Sequence, residues 1–216
     1  MDTQTTLVDT PADVPANVQT VLNFSDAITM LSSADLYDAS NGKVAYSVDN
    51  HKSFASSKTV IKDVRGGKDE IMATISKNDV LPDSVAFPAR EGVRGKEVKV
   101  KVEKWMWAPK HRDFPMSFEV NGQEYQWIVG AGRTLQLVDP KQADAPLAWH
   151  EPSPNGPKKG GRLLLTPAAE TDLMHNAVIV SCVMALQRWA ASIRFAQFGT
   201  AVAAEQMYST TFGRDA

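Results

Sequence analysis

Hydrophobic and polar residues alternate in short segments over most of the chain. The clearest segment runs from Lys96 to Lys104, where Val98, Val100 and Val102 alternate with charged residues. A period of two predicts a β-strand with one face toward a core and the other toward solvent. The same kind of pattern predicts strands at Asp35–Tyr37, Val44–Val48, Thr59–Val64, Ile71–Ser76, Thr134–Val138, Leu147–His150 and Arg162–Thr166.

A β-hairpin is predicted between Phe118 and Trp127. Asn121-Gly122 interrupts this segment, and this dipeptide between apolar arms is the strongest short-range signal for a hairpin turn. Tyr125 and Trp127 then fall on one face of the second arm.

The pattern changes near the end of the chain, where the run Ala177–Leu186 is apolar on every face of a helix. Such a helix has to be enclosed on all sides. Thr166-Pro167 resembles a cap followed by proline in the first turn, and Gly199 is a candidate end. We therefore predict an enclosed helix over about residues 168–198.

Many short strands before one enclosed helix predict a mainly β (α+β) fold, with an antiparallel sheet closed into a barrel around that helix. Residues 1–18 lack periodicity and are predicted to be a flexible leader, followed by the barrel domain at 19–199 and a tail at 200–216. The apolar run is shorter than the roughly 20 residues that a bilayer span needs. A buried helix is favoured over the alternative of a short anchor at a membrane surface.

Composition narrows the class of protein. The chain has 216 residues, 43% of them hydrophobic, and a net charge of -2, which favours one globular domain and argues against a nucleic-acid partner. Cys182 is the single cysteine, so no intrachain disulfide can form, and a reducing, cytoplasmic setting is expected. The first twenty residues contain no basic residue, which argues against a secretory signal.

Basic residues are concentrated locally despite the net charge. Eight basic and three acidic residues between Arg90 and Arg112 give a local charge of +5, and Lys158, Lys159 and Arg162 form a second cluster. These clusters predict a site for an anionic lipid headgroup or membrane surface. The residues expected to bind it are Lys99, Lys101, Arg112, Lys158 and Lys159. The alternative is a solvated strand face whose lysines prevent edge-to-edge pairing.

Asp172 and His175 are the candidate catalytic residues. They lie three positions apart on one helix face, where a carboxylate can orient an imidazole for acid–base chemistry. The alternative is that Asp172 caps the first turn and that His175 is half solvated at the barrel mouth. Cys182 is expected to pack inertly, because apolar neighbours raise the pKa of a thiol.

Trp127, Trp149 and His150 are candidates for an apolar or planar ligand in a pocket at the barrel mouth. Aromatic residues at alternating strand positions also occur as core or cross-strand pairs, which is the alternative. The four histidines are far apart in the sequence and no phosphate-binding loop ends in Gly-Lys-Ser/Thr, so we expect no metal and no cofactor.

The order of features after residue 100 resembles a known group of proteins. Trp105 and Trp107 precede the pattern Phe-x-x-x-Gly-x-x-Tyr-x-Trp at 118–127, which Leu-x-Leu-x-Asp at 135–139 follows. An Ala-Trp-His strand, a Gly-rich loop and the terminal apolar helix complete the series. This order resembles fungal proteins of unknown function with the tubby C-terminal-like fold, related in shape to LURP-one-related proteins and phospholipid scramblases.

The resemblance covers about residues 20–198 and implies an antiparallel barrel of about twelve strands around a hydrophobic C-terminal helix. Tubby proteins bind phosphoinositides and scramblases are tied to membranes, but the resemblance implies no established activity. We therefore expect an intracellular protein, cytoplasmic or peripheral at membranes, that binds a lipid or phosphoinositide headgroup. The alternative is a small cofactor-free enzyme, an acid–base isomerase, cyclase or hydrolase of specialised metabolism.

Overall fold

The computed structural model describes residues 15–29, 32–78, 80–88, 97–110, 112–154 and 159–212, without the side chains of Arg133, Asp172 and residues 194–212. The strands are β1 (Thr20–Phe24), β2 (Ala34–Asp38), β3 (Val44–Lys52), β4 (Ser56–Asp63), β5 (Glu70–Asn78), β6 (Ser84–Phe87), β7 (Val98–Lys101), β8 (Met106–Trp107), β9 (Met116–Val120), β10 (Gln123–Val129), β11 (Leu135–Val138), β12 (Ala148–Glu151) and β13 (Arg162–Leu165). The helices are α1 (Val102–Trp105) and α2 (Asp172–Phe212), with 3-10 turns at Ala131–Arg133 and Pro167–Ala169. Of the predicted leader, residues 1–14 lie outside the described residues.

All of these strands belong to one antiparallel sheet. Each strand pairs with its neighbours in sequence, and β1 also pairs with β13, giving the order β7-β6-β5-β4-β3-β2-β1-β13-β12-β11-β10-β9-β8. The two edge strands are therefore β7 and β8, which are consecutive in the chain and separated only by α1. Because α1 has four residues, the sheet has to curl until its edges come close together.

The predicted strand number of about twelve is close to the thirteen strands of the described residues, but a closed barrel is not confirmed, because β7 and β8 share no backbone ladder. The predicted strand Lys96–Lys104 ends at Lys101, where the chain turns into α1. Side chains bridge this seam: the Trp105 ring lies 5.3 Å from Phe87 of β6 and 6.0 Å from Phe118 of β9. Aromatic packing, and no backbone ladder, therefore connects the two sides of this seam.

The predicted hairpin at Asn121-Gly122 is confirmed. Both residues have positive φ, +51° and +78°, as a two-residue type I′ turn requires, and Gln123 pairs with Val120. The other predicted strands also form, with shifts of a few residues at their ends. Strands β1, β6 and β8 were not predicted, because they are short and their segments do not alternate clearly.

Burial of the apolar helix on all sides is confirmed. Every residue from Val178 to Gln187 is buried. Among the described residues, one helical segment, Leu173–Ile193, is long and apolar enough to cross a membrane by length and composition, and 56% of an 18-residue window in it is buried inside the protein. Its position inside the sheet accounts for its apolar character.

The predicted ends of the helix were wrong. Thr166 donates its hydroxyl to the carbonyl of Leu147, so Thr166-Pro167 begins a separate 3-10 turn and α2 starts at Asp172. At the other end α2 continues through Gly199 to Phe212. A glycine inside a helix costs only about 1 kcal/mol relative to alanine, and the alanine-rich segment that follows favours continuation.

The two ends of the sheet are distinguished by the course of α2. The helix begins beside Tyr46, whose hydroxyl is hydrogen-bonded to His175, and it passes Thr59 at Gln187. We call the end beside Tyr46 the proximal end and the opposite end the distal end. Because Ser56 pairs with Asn78, the β3–β4 and β5–β6 turns both lie at the distal end.

Substitution of Ile179 tests the enclosure of α2. Ile179 is 0% exposed and Ile193 is 39% exposed on the same helix. We expect Ile179→Ala to lower the free energy of unfolding by about 2–5 kcal/mol, because it leaves a cavity in a packed core. Ile193→Ala is the matched control, with an expected loss below about 1 kcal/mol. Urea unfolding measures both, and equal losses would contradict the enclosure.

Candidate functional site

At the proximal end, a buried chain of hydrogen bonds joins β3 to the start of α2. The hydroxyl of Tyr46 contacts Nε2 of His175, and Nδ1 of His175 lies 3.1 Å from Oε2 of Glu170. A neutral imidazole that donates from Nδ1 to Glu170 and accepts from Tyr46 satisfies both contacts. Burial lowers the pKa of His175, against the opposing charge of Glu170.

This Tyr–His–Glu chain is shielded from solvent. Tyr46 and His175 are 1% and 5% exposed. The guanidinium of Arg65 lies 4.9 Å from the centre of the Tyr46 ring and is paired with Asp63 at 2.6 Å. Burial raises the pKa of Tyr46. The chain therefore anchors the start of the helix.

A cavity of about 710 Å³ opens beside this chain without reaching it. Asn176 and Ala177 of α2 line the cavity, together with Trp105 of α1, whereas His175 does not. The side chain of Asp172 lies outside the described residues, so the predicted Asp172–His175 pair is represented only by His175. The partners of His175 are Tyr46 and Glu170, and the enzyme hypothesis gains no support from this geometry.

At the distal end, a cleft of about 820 Å³ is lined by residues of the β5–β6 turn, α1, β8, the segment that follows β8, and α2. The backbone N–H of Val102 donates to the carbonyl of Asp83 at 2.9 Å, which attaches α1 to the β5–β6 turn and forms one wall. Arg188 of α2 also lines the cleft. The charged residues that line the cleft are Asp83, Glu103, Lys104, Lys110, Arg112, Asp113 and Arg188.

The charges of this cleft are only partly paired. Arg188 Nε lies 3.2 Å from Oδ1 of Asp113, and Glu103 lies 3.7 Å from Lys101. Within the described part of the chain, no ion pair joins Lys104, Lys110 or Arg112 to a carboxylate. We call these three residues the basic triad; their charges are available to an anion.

Sequence reasoning found this cleft only in part. Arg112 belongs to the basic triad, but Lys99 and Lys101 lie outside the cleft on β7, opposite Ala86 and Ser84 of β6. Lys158 lies outside the described residues. Lys104 and Lys110 belong to the same basic stretch of the sequence, so its local charge was the usable signal.

A second, apolar pocket of about 180 Å³ lies on the other side of α2 at the distal end. His150 and Lys159 line it, and the apolar lining residues include Phe24, Ile28, Leu186, Trp189, Ala190 and Ile193. His150 is 7% exposed, its Nδ1 has no hydrogen-bond partner, and burial lowers its pKa to about 4. A neutral imidazole is thus one of the polar groups of a largely apolar pocket, whose other polar lining residues are Asp26, Thr29, Ser153 and Lys159.

The two candidate tryptophans do not line this pocket. Trp127 is buried in the core, where its Nε1 donates to Oγ of Ser181 at 2.9 Å. Trp149 donates to Oε1 of Glu151 at 3.2 Å. Cys182 is fully buried and its pKa is raised by burial, so its predicted role as a packing residue is confirmed. Among the described residues, no group of three His, Cys, Asp or Glu side chains is placed to hold a metal ion.

Comparison with protein families shows where the chain belongs. Residues 29–190 match a protein-family model described as "Family of unknown function (DUF6593)". No curated protein and no solved structure is similar enough to match.

Acidification tests the buried position of His150. Because its pKa falls from 6.5 to about 4 on burial, the unfolded chain binds a proton between these pH values that the folded protein does not. The free energy of unfolding attributable to His150 should therefore decrease as the pH falls through this range, by about 1.4 kcal/mol per pH unit. Urea unfolding of wild type and His150→Gln at several pH values isolates this contribution. Equal slopes for the two proteins would contradict it.

Proposed function

Because the chain belongs to the DUF6593 family, whose function is unknown, we propose its function from the site: it binds anionic lipid headgroups at its distal end. The observation that carries the proposal is the basic triad, whose three cations share one cleft. Each cation close to an anionic membrane surface contributes about 1 kcal/mol to binding. A phosphoinositide, with several negative charges on one headgroup, is the lipid class that suits three adjacent cations best.

The fold and the cysteine content support the same proposal. A curled sheet around a C-terminal helix agrees with the resemblance to the tubby C-terminal-like fold, some of whose members bind phosphoinositides. The single cysteine is buried, which suits the reducing cytoplasm. We therefore propose a cytoplasmic protein that is peripheral at membranes.

A second candidate function is the binding of a small apolar molecule in the pocket beside His150. Its support is the unpartnered Nδ1 of a buried histidine among apolar side chains, since a few polar groups in an apolar pocket are typical of ligand sites. The positive charge of Lys159 suits a carboxylate at the rim. The pocket is small, about 180 Å³, so we propose a medium-chain fatty acid as its ligand.

Charge reversal tests the basic triad. We expect Lys104→Glu, Lys110→Glu and Arg112→Glu together to weaken binding to anionic vesicles about tenfold or more, because attraction becomes repulsion. Co-sedimentation with phosphatidylcholine vesicles, with and without phosphatidylserine or phosphatidylinositol bisphosphate, measures the effect. Wild-type binding should also weaken as salt is raised.

The matched control places the same charge change at the proximal end. Lys43, Lys68 and Lys141 are exposed residues in turns there, and their replacement by Glu should leave most vesicle binding intact. Wild-type binding that does not depend on lipid charge would overturn the proposed function. Equal losses in both triple variants would assign binding to overall charge and not to the cleft.

Filling the pocket tests the second candidate. Ala190 lines the apolar pocket, and its neighbour Ala191 is similarly half-buried but is not among the lining residues. We expect Ala190→Leu to abolish binding of octanoate, followed by calorimetric titration, because the larger side chain occupies the pocket. Ala191→Leu should bind as wild type does. Unchanged binding in Ala190→Leu would exclude this pocket.

A further inference from the structure

The most exposed large hydrophobic side chains of the described residues lie in two turns at the distal end. Phe54 in the β3–β4 turn is 106% exposed, and Val80 and Leu81 in the β5–β6 turn are 91% and 67% exposed. Water contact with such groups is unfavourable, by about 25 cal/mol for each Å² of apolar surface. We call these three side chains the apolar tips.

Phe54 occupies a position that the fold itself does not require to be aromatic. Phe54 and Ala55 form the loop between Ser53 and Ser56, which are joined by a backbone hydrogen bond of 2.8 Å and a hydroxyl contact of 2.7 Å. Two-residue hairpin loops favour Asn, Gly and Asp. The turn is therefore held by its serines, while the Phe54 ring projects away from the core.

The second turn presents its apolar residues in a similar way. Oδ1 of Asp83 accepts the N–H of Asn78 at 3.1 Å, and the carbonyl of Asp83 accepts the N–H of Val102 at 2.9 Å. These bonds brace the base of the turn, while Val80 and Leu81 lie exposed. Two strand spacings separate the turns in the sheet, so the apolar tips are about 10 Å apart.

Cations accompany the apolar tips. Lys52 and Lys58 flank Phe54 on β3 and β4 and are exposed, and the basic triad lies at the same end of the sheet, next to Asp83. Projecting apolar side chains surrounded by lysine and arginine match a bilayer with an anionic surface, because the tips can enter its apolar layer while the cations meet its headgroups. A stable protein interface instead needs a continuous patch of about 800 Å² on each partner.

We propose that the distal end docks on an anionic bilayer by inserting Phe54, Val80 and Leu81 between the lipid headgroups. This inference rests on the proposed function. It adds that the protein penetrates below the headgroups, since headgroup binding alone does not require the apolar tips. The basic triad then supplies attraction and orientation, and the tips supply apolar contact that salt does not screen.

Removal of the apolar tips tests the insertion. We expect Phe54→Ser, Val80→Ser and Leu81→Ser together to weaken co-sedimentation with phosphatidylcholine–phosphatidylserine vesicles about tenfold or more. Binding of soluble inositol hexakisphosphate, a probe of the basic triad alone, should be unchanged. The matched control replaces Ile71, Val98 and Leu173 by Ser, because these exposed apolar residues lie at the proximal end, and it should bind vesicles as wild type does.

A label on Phe54→Cys gives a direct readout of insertion. Cys182 is fully buried, so an environment-sensitive fluorophore reacts with the new cysteine. Its emission should shift to shorter wavelength on addition of anionic vesicles and should be quenched by brominated acyl chains. A Lys43→Cys label at the proximal end should show neither effect.

The outcomes separate this inference from the proposed function. Insertion is overturned if the variant without apolar tips (the tip variant) binds vesicles as tightly as wild type does, or if the label at Phe54→Cys stays in water. If the variant with the charge-reversed basic triad still loses vesicle binding in that case, headgroup recognition stands. Loss of inositol hexakisphosphate binding in the tip variant also overturns the inference, because the tips would then support the cleft itself. Wild-type protein that binds neither vesicles nor the soluble probe overturns both.

Discussion

The enclosure of α2 is the constraint on which the rest of the structure depends. Ten consecutive residues, Val178–Gln187, are buried, so no side of the helix is free to face solvent. A ring of strands about 10 Å from the helix axis has a circumference of about 60 Å, which takes roughly ten to thirteen strands depending on their tilt. The large single sheet is therefore a consequence of the size of one helix.

Polar contacts determine where the helix sits within this sheet. Dispersion and apolar burial alone would tolerate rotation or sliding of a uniformly apolar helix. Three hydrogen bonds tie α2 to three different strands at residues 175, 181 and 187: Tyr46–His175, Trp127–Ser181 and Thr59–Gln187. Each contact is buried, and leaving its polar groups without partners would cost about 1–3 kcal/mol. The contacts thus fix the rotation and the axial position of α2 relative to the sheet. Single polar residues fix the register of coiled coils in the same way.

The features that the sequence predicted are those governed by local pattern. Alternation located most of the strands, Asn121-Gly122 located a turn, and the uniformly apolar run located the enclosed helix. The ends of elements depend on distant partners: Thr166 bonds to Leu147 instead of capping α2, and α1 interrupts the alternating valines where the edges of the sheet meet. The distal cleft combines Arg188 with Lys104 and Lys110, which only the course of α2 brings together. The β3–β4 turn has Phe54 where two-residue hairpin loops favour Asn, Gly or Asp. No contact with the core explains this aromatic residue.

The position of α2 after the strands in the chain constrains the order in which this protein can fold. The innermost element, α2, follows all thirteen strands in the chain, so during synthesis the strands exist before the helix that they must surround. The sheet can complete its curvature only after α2 is available as a template. Among the described strands, the seam between β7 and β8 is where two neighbouring edges share no backbone ladder, so α2 can enter there without breaking one. Until then the apolar inner faces of the strands are uncovered, which makes the nascent chain a natural client for chaperones.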